Sequence, residues 1–220
     1  MGLVTIGQSP RPDIVGDLRQ VWGDKFRVEE AGALDFLTEH EIRELQPKAG
    51  EHALFTALRD GRPVLVARER LIPYLQKGID LLVGRGASCV MVMCTSPFEG
   101  LRADVPLVLP HRVLAGFVRA VLAPGSRVVV ALPVPEQVEE ARSRWTGRGM
   151  QVVGEVVTSP FAPVDLLEVE FAGLPGWKPE GVILDCFGFG SRVVEVVRRI
   201  FRGPVFSARH LAATTLSAQW

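Results

Sequence analysis

Cys89-Val-Met-Val-Met-Cys94-Thr-Ser-Pro97 and Val182-Ile-Leu-Asp-Cys186-Phe-Gly-Phe-Gly190 decide the fold. Each is a short apolar run that ends in a cysteine and then in a polar or glycine-bearing turn. This is how a strand buried on both faces reads. Apolar runs alternate with amphipathic segments from end to end of the chain, which predicts an α/β protein with a mostly parallel sheet covered by helices. Ligands bind at the carboxyl ends of the strands in such sheets, so both thiols are expected at the rim of one crevice. A facing thiol pair is the sharpest chemical expectation.

The same alternation places strands at 3–7, 26–31, 64–67, 89–94, 127–132, 151–157, 181–186 and 204–206. It places helices near 13–22, 39–45, 68–85, 111–122, 136–147, 164–173, 191–201 and 208–218. Thr38 followed by Glu41 matches a capping box, in which hydroxyl and carboxylate each satisfy a backbone donor at a helix start. Asp60-Gly61, between two apolar runs, is a hairpin turn signal and puts the strand 53–58 at a sheet edge. Of the proline and glycine clusters, 106–110 is the expected lobe boundary. The two strand–cysteine units, one in each half, predict an approximate internal duplication.

With 220 residues, 47% of them hydrophobic, the chain can bury a substantial core as one large domain or two small α/β lobes. Twenty-five basic and 25 acidic side chains are mixed along the length. There is no basic face that would predict nucleic-acid binding. The amino terminus lacks a cationic leader, and the longest apolar stretch, near 81–93, is broken by Arg85 and two glycines. No membrane span and a cytoplasmic location are expected. Three irregularly spaced cysteines make neither a disulfide framework nor a zinc motif, and free thiols follow.

Candidate site residues lie on the turns after strands. In Thr5-Ile-Gly-Gln8-Ser9-Pro10-Arg11-Pro12-Asp13, Ser9 reads as an N-cap and Pro10 as the first helical residue. Backbone N–H groups there would favour an anion, and Arg11 would add a two-pronged carboxylate or phosphate contact; a solvated Arg11 beside an ordinary helix start is the equal alternative. Cys94, Thr95 and Ser96 repeat the logic after a central strand, with a thiol beside hydroxyls suited to a substrate carboxylate. Cys89 reads as a core residue on the opposite face. Gly188, after Cys186 and Phe187, would let a ligand approach closely. Asp185 reads as a structural hydrogen-bond acceptor, directed toward a helix amino end.

Gly188-Phe-Gly190 lacks the third glycine of a dinucleotide fingerprint, Val193 standing in its place, and no Walker loop is present, so no cofactor is expected. His40, His52, His111 and His210 show no metal-ligand spacing and are expected to be structural or solvated; no metal is expected.

The stretch Thr5–Asp13, together with Leu184-Asp-Cys186-Phe187-Gly188-Phe189, resembles the AroM family over nearly the whole chain. That resemblance assigns no reaction. More distantly, the placement of Cys94 and Cys186 is similar to that of the aspartate/glutamate racemase superfamily, which includes amino-acid and hydantoin racemases, arylmalonate decarboxylases and maleate isomerases. The resemblance implies two similar doubly wound lobes, 1–108 and 109–205, with the segment 206–220 returning to the first.

It also implies a cofactor-independent racemase, isomerase or decarboxylase. One thiolate removes a proton from a carbon next to a carboxylate, while the opposite thiol returns one. Thr5, Gln8, Ser9, Arg11, Thr95, Ser96, Phe187 and Gly188 would then hold the substrate, with Cys94 and Cys186 as acid and base. Two departures bear on the substrate. The racemases carry Thr-His after the second cysteine where this chain has Phe187-Gly188. They carry Asp-Ser after the first strand where this chain has Gln8-Ser9. An ammonium group lacks an acidic partner, which favours a small carboxylate or cyclic compound without a free amine. The alternative is a non-catalytic small-anion binding or sensor protein of the AroM family. A homodimer is compatible with either.

Overall fold

The structure, a computed structural model, describes residues 1–219. The chain divides into two compact units that part between Pro110 and His111.

The first unit opens with β1 (Gly2–Thr5), α1 (Pro12–Trp22) and β2 (Glu29–Gly32). A single 3-10 turn over Ala33–Phe36 leads to α2 (Glu39–Glu44). A hairpin of β3 (Ala53–Ala57) and β4 (Pro63–Ala67) precedes α3 (Arg68–Gly84), and β5 (Val90–Val92) and β6 (Leu107–Val108) complete the unit. The parallel sheet runs β2-β1-β5-β6. α3 lies across β1 and β2 and buries Leu71, Leu75, Ile79 and Leu82, one face at helical spacing. Gly78 is what lets it approach, since a Cβ there would stand 2.8 Å from Val4 Cγ2.

The capping box forms as read, with Thr38 N–H donating to Glu41 Oε2 at 2.7 Å and Glu41 N–H to Thr38 Oγ1 at 3.3 Å. The hairpin turn is also as read, with Gly61 at φ +86°. Its strands, however, pair only with each other and form a separate two-stranded ribbon, not an edge of the main sheet.

The second unit contains α4 (Pro110–Val121, whose first residue is the boundary), β7 (Arg127–Leu132), α5 (Val138–Gly147) and β8 (Gln151–Val157). Then come α6 (Val164–Phe171), a single turn α7 (Leu174–Trp177), β9 (Gly181–Leu184), α8 (Ser191–Ile200), β10 (Val205–Ser207) and α9 (Ala208–Gln219). Its parallel sheet runs β10-β9-β7-β8.

The terminal segment 206–220, expected to return to the first lobe, instead builds its strand into this second sheet. β10 pairs with β9 in the register Phe206↔Ile183 and Ser207↔Leu184. The physical reason is the short path from α8: four residues, 201–204, suffice to bring the chain back alongside β9, and consecutive strands most often become neighbours in this way. Trp220, the last residue of that segment, lies outside the described residues.

Numbered along the chain within each four-stranded sheet, the strand order is the same in both: second, first, third, fourth. The chain therefore leaves the first strand in one direction and then crosses to its other side, which makes a switch point between first and third strands at their carboxyl ends. In the first sheet that third strand is β5 and in the second it is β9. Each is followed, two residues past its last residue, by a cysteine: Cys94 and Cys186.

Close packing at the first switch point yields one prediction. A Cβ on Gly32 would stand 2.5 Å from Gly7 O, 2.7 Å from Ser9 N and 2.9 Å from Gln8 Cα, all backbone atoms that cannot rotate aside. Gly32→Ala is expected to destabilise by about 3 kcal/mol in urea denaturation. Gly16→Ala, on the exposed face of α1 with nothing within 4 Å, is expected to stabilise by about 1 kcal/mol. Equal behaviour of the two would show that the loop over Gly32 yields freely.

Candidate functional site

At the first switch point the chain bends sharply to deliver Cys94. Met93 N–H still bonds Val4 O at 2.8 Å, but Cys94 N–H turns back to Val92 O at 2.8 Å, a three-residue turn that ends the strand. The Cys94 side chain is largely buried, and its Sγ accepts the Ser96 N–H at 3.4 Å. Thr95 is buried beside it. The Ser96 hydroxyl accepts from Arg68 NH1 at 3.3 Å. Arg68, the first residue of α3, also pairs with Glu69 at 3.1 Å, so a cation missed in the sequence stands next to the cysteine turn.

The loop after β1 is rich in anion-binding geometry, and the anions it holds are the protein's own carboxylates. Asp35 accepts the Ser9 N–H at 2.9 Å, the Ser9 hydroxyl at 2.5 Å, the Gly32 N–H at 2.7 Å and Arg59 NH2 at 3.1 Å. Ser9 is thus not the expected N-cap. The helix starts two residues later, with Arg11 at the cap position and Pro12, not Pro10, at the first helical one. Two prolines in Pro10-Arg11-Pro12 satisfy the same positional preference, so the local signal could not choose between them.

Arg11, almost fully buried, does make a two-pronged carboxylate contact, but with Asp13, at 2.8 and 2.6 Å. Its N–H donates to Glu30 Oε2 at 2.7 Å. Gln8 Oε1 accepts the Arg59 N–H at 2.9 Å. The Thr5 hydroxyl, completely buried, accepts the Gly7 N–H at 3.2 Å and shapes the turn. Of the residues expected around Cys94, the structure gathers Thr95 and Ser96 on its own turn and gives Gln8, Ser9 and Arg11 partners within the protein.

The second switch point repeats the first. Cys186 is partly exposed, and its Sγ accepts the Gly188 N–H at 3.3 Å, the same two-residue offset seen at Cys94. In both units an amide proton is aimed at sulfur, the arrangement that favours a thiolate over a thiol. Phe187 is buried beneath the turn. The space beside Gly188 is filled by the protein itself: a Cβ there would meet Pro160 Cγ at 3.0 Å and Cys186 Sγ at 3.2 Å. Glycine at this position packs closely on Pro160 and the thiol.

Asp185 is a structural acceptor, as read, but its partners lie in the last turns of α5 and not at a helix amino end. Its Oδ2 accepts from Arg144 NH2 and Trp145 Nε1, both at 2.7 Å. Arg209, which no local sequence signal marks, is the other organiser of this site. It is 3% exposed and donates from Nε to Phe187 O and from NH2 to Gly188 O, both at 2.8 Å.

The remaining titratable groups divide simply. Cys89 is in the core, where burial pushes its thiol up. His40 is exposed beside Glu44, and His52 pairs with Glu69 at 2.7 Å. The two ring nitrogens of His210 meet the hydroxyls of Ser207 at 2.8 Å and Ser191 at 3.0 Å. Among the described residues no three His, Cys, Asp or Glu side chains gather as a metal site, and no helix is long and apolar enough to cross a membrane.

His111 yields a second prediction. It is buried at the start of α4, its Nδ1 without a hydrogen-bond partner. Burial first, then the nearby Arg148, Arg112 and Arg144, lower its pKa to about 4. The folded form resists protonation while the unfolded chain accepts a proton near 6.5. The neutral-histidine contribution is therefore intact above pH 6.5 and lost as pH falls toward 4. Over that window the loss is about 3 kcal/mol. Urea midpoints at pH 7.5 and 4.5 should diverge more for the wild type than for His111→Leu; parallel profiles would remove the assignment.

Two parallel α/β units of identical strand order define a class of proteins by fold. Their fold is that of the aspartate/glutamate racemase-like proteins. It is similar to a liganded mutant of arylmalonate decarboxylase (TM-score 0.66, 16% identity, covering 99% of this chain and 93% of that one). It is also similar to a maleate isomerase from Pseudomonas putida (TM-score 0.65, 12% identity, 99% and 92%) and to an aspartate racemase homologue from Pyrococcus horikoshii (TM-score 0.61, 13% identity, 100% of each chain). No protein of curated function matches the sequence. Residues 1–218 match the model of the AroM protein family, and the chain belongs to that family.

Proposed function

We propose that this protein is a cofactor-independent proton-transfer enzyme acting on a small carboxylate, with Cys94 and Cys186 as its acid/base pair. The observation that carries the reading is the repeated geometry of the two turns. Each sheet places a cysteine two residues past its third strand, with a backbone N–H aimed at the sulfur. Solved proteins with this fold include a decarboxylase and an isomerase, which is compatible with such chemistry.

In the proposed step one thiolate takes the proton from the carbon next to the carboxylate, and the C–H electron pair moves into the carboxylate as an enolate. The other thiol then delivers its proton to that carbon, leaving a thiolate in its place. In a decarboxylation the electron pair comes instead from the C–C bond as carbon dioxide leaves, and a single thiol protonates the carbon. The Ser96 hydroxyl and the Arg68 guanidinium behind it are suited to neutralise the carboxylate, which is where charge accumulates. Gln8, Ser9 and Arg11 support the substrate through the loop they brace.

The test is incubation of the purified protein in deuterated water with a panel of amino acids, hydantoins, dicarboxylates and arylmalonates. Deuterium incorporation at the acidic carbon, or release of carbon dioxide, is the expected result for at least one class. Saturable binding without exchange or decarboxylation across the panel would replace this reading with the small-anion sensor.

A further inference from the structure

We propose that Arg209 is the positioning residue of Cys186: it grips the two peptide planes that follow the cysteine and aims the Gly188 N–H at the sulfur. The inference rests on the reading of Cys186 as a reacting group. Its geometry starts from the sheet. β9 and β10 pair with Ser207 opposite Leu184, so Cys186 and Arg209 each follow two positions past the end of neighbouring parallel strands. Arg209 is the second residue of α9 and is buried there.

What it touches is informative. Arg209 Nε donates to Phe187 O, and the N–H of that same peptide unit, on Gly188, donates to Cys186 Sγ at 3.3 Å. Arg209 NH2 donates to Gly188 O, and the N–H of that peptide, on Phe189, donates to Cys186 O at 3.1 Å. In a trans peptide the C=O and N–H point in opposite directions. Two consecutive peptide planes are thus held at their carbonyl edges by one guanidinium, with their N–H edges turned toward one cysteine.

A cation on a carbonyl oxygen polarises the peptide and strengthens its N–H as a donor. The positive charge of Arg209 is thereby relayed through one peptide unit to the sulfur, where it favours the thiolate. Only a planar fork spans both carbonyls; a lysine ammonium, a point charge on a flexible stem, reaches one. The Phe187 ring centroid lies 6.0 Å from the guanidinium carbon of the same arginine.

The experiment reads the sulfur and needs no substrate. The rate of iodoacetamide alkylation at Cys186 is followed by peptide mass spectrometry from pH 5 to 10 in the full chain, with Cys94 as an internal control. In Arg209→Met the Cys186 profile is expected to move up by about one pH unit, with alkylation at pH 7 slowed roughly tenfold and the Cys94 profile unmoved. Arg209→Lys, which keeps the buried charge and the stem, is expected to slow Cys186 by about threefold at pH 7, since one carbonyl remains held.

A Cys186 profile in folded Arg209→Lys that overlays the wild type overturns the proposal, whether or not Arg209→Met folds. So does an equal shift at both cysteines. The two readings fail separately: shifted alkylation with no deuterium exchange leaves Arg209 in this role and removes the enzyme, whereas exchange with unshifted alkylation does the reverse.

Discussion

Cys94→Ala and Cys186→Ala are each expected to lower racemisation or isomerisation by at least about a thousandfold, from the removal of the acid or the base in a two-base step. The double variant is expected to be little worse than either single one, because residues that act as a unit do not add. Single variants separate the two thiols further. A protein that keeps one base can still exchange the hydrogen on the face that base addresses, so deuterium incorporation should become restricted to one enantiomer of a chiral substrate. Chiral chromatography with mass detection reads this directly. A Cys89→Ala variant serves as the control, since that thiol is sealed in the core. Full turnover in either the Cys94 or the Cys186 variant would end the two-base proposal, and retention of one-sided chemistry in only one of them would point to a single-thiol decarboxylation.

Asp185→Ala is expected to cost about 3–5 kcal/mol of stability, the largest structural effect in the second unit. Asp185 is 3% exposed and accepts from the Arg144 guanidinium and the Trp145 indole through one oxygen. Removing it leaves the Trp145 N–H, on a completely buried ring, without that acceptor, and strips Arg144 of its buried partner. Asp185→Asn keeps an acceptor for the indole and should cost less than half as much. Pairing Asp185→Leu with Arg144→Met removes charge and counter-charge together, and the double variant is expected to be more stable than Asp185→Leu alone. Urea denaturation of the set measures each step. A double variant as unstable as the sum of its parts would show that the pair is held for packing and not for charge. The same residue neighbours Cys186, so the pair also fixes the base of the turn on which that thiol stands.

The local features of this chain were legible because their causes lie within a few residues. The strands at 127–132 and 151–157, the capping box at Thr38 and Glu41, and the Asp60-Gly61 turn all follow from neighbouring side chains and backbone conformations. The places of the two cysteine turns, each closing an apolar strand, are local in the same way. The short strand β6 and the turn α7, two and four residues long, carry too little pattern to be read this way.

Partner choice among polar groups was not legible. Ser9 meets Asp35 across 26 residues, Gln8 meets Arg59 across 51, and Arg209 meets Phe187 across 22. Nothing in the neighbourhood of Ser9 distinguishes a hydroxyl that caps its own helix from one that binds a distant carboxylate. Sequence alone determined the alternation of strands and helices, the repeated strand–cysteine unit and the turns, because propensity and periodicity act over one element. Folding decided that the hairpin stands apart, that the last strand joins the second sheet, and that a buried arginine grips the Cys186 turn, because strand register brings together residues whose distance along the chain leaves no local trace.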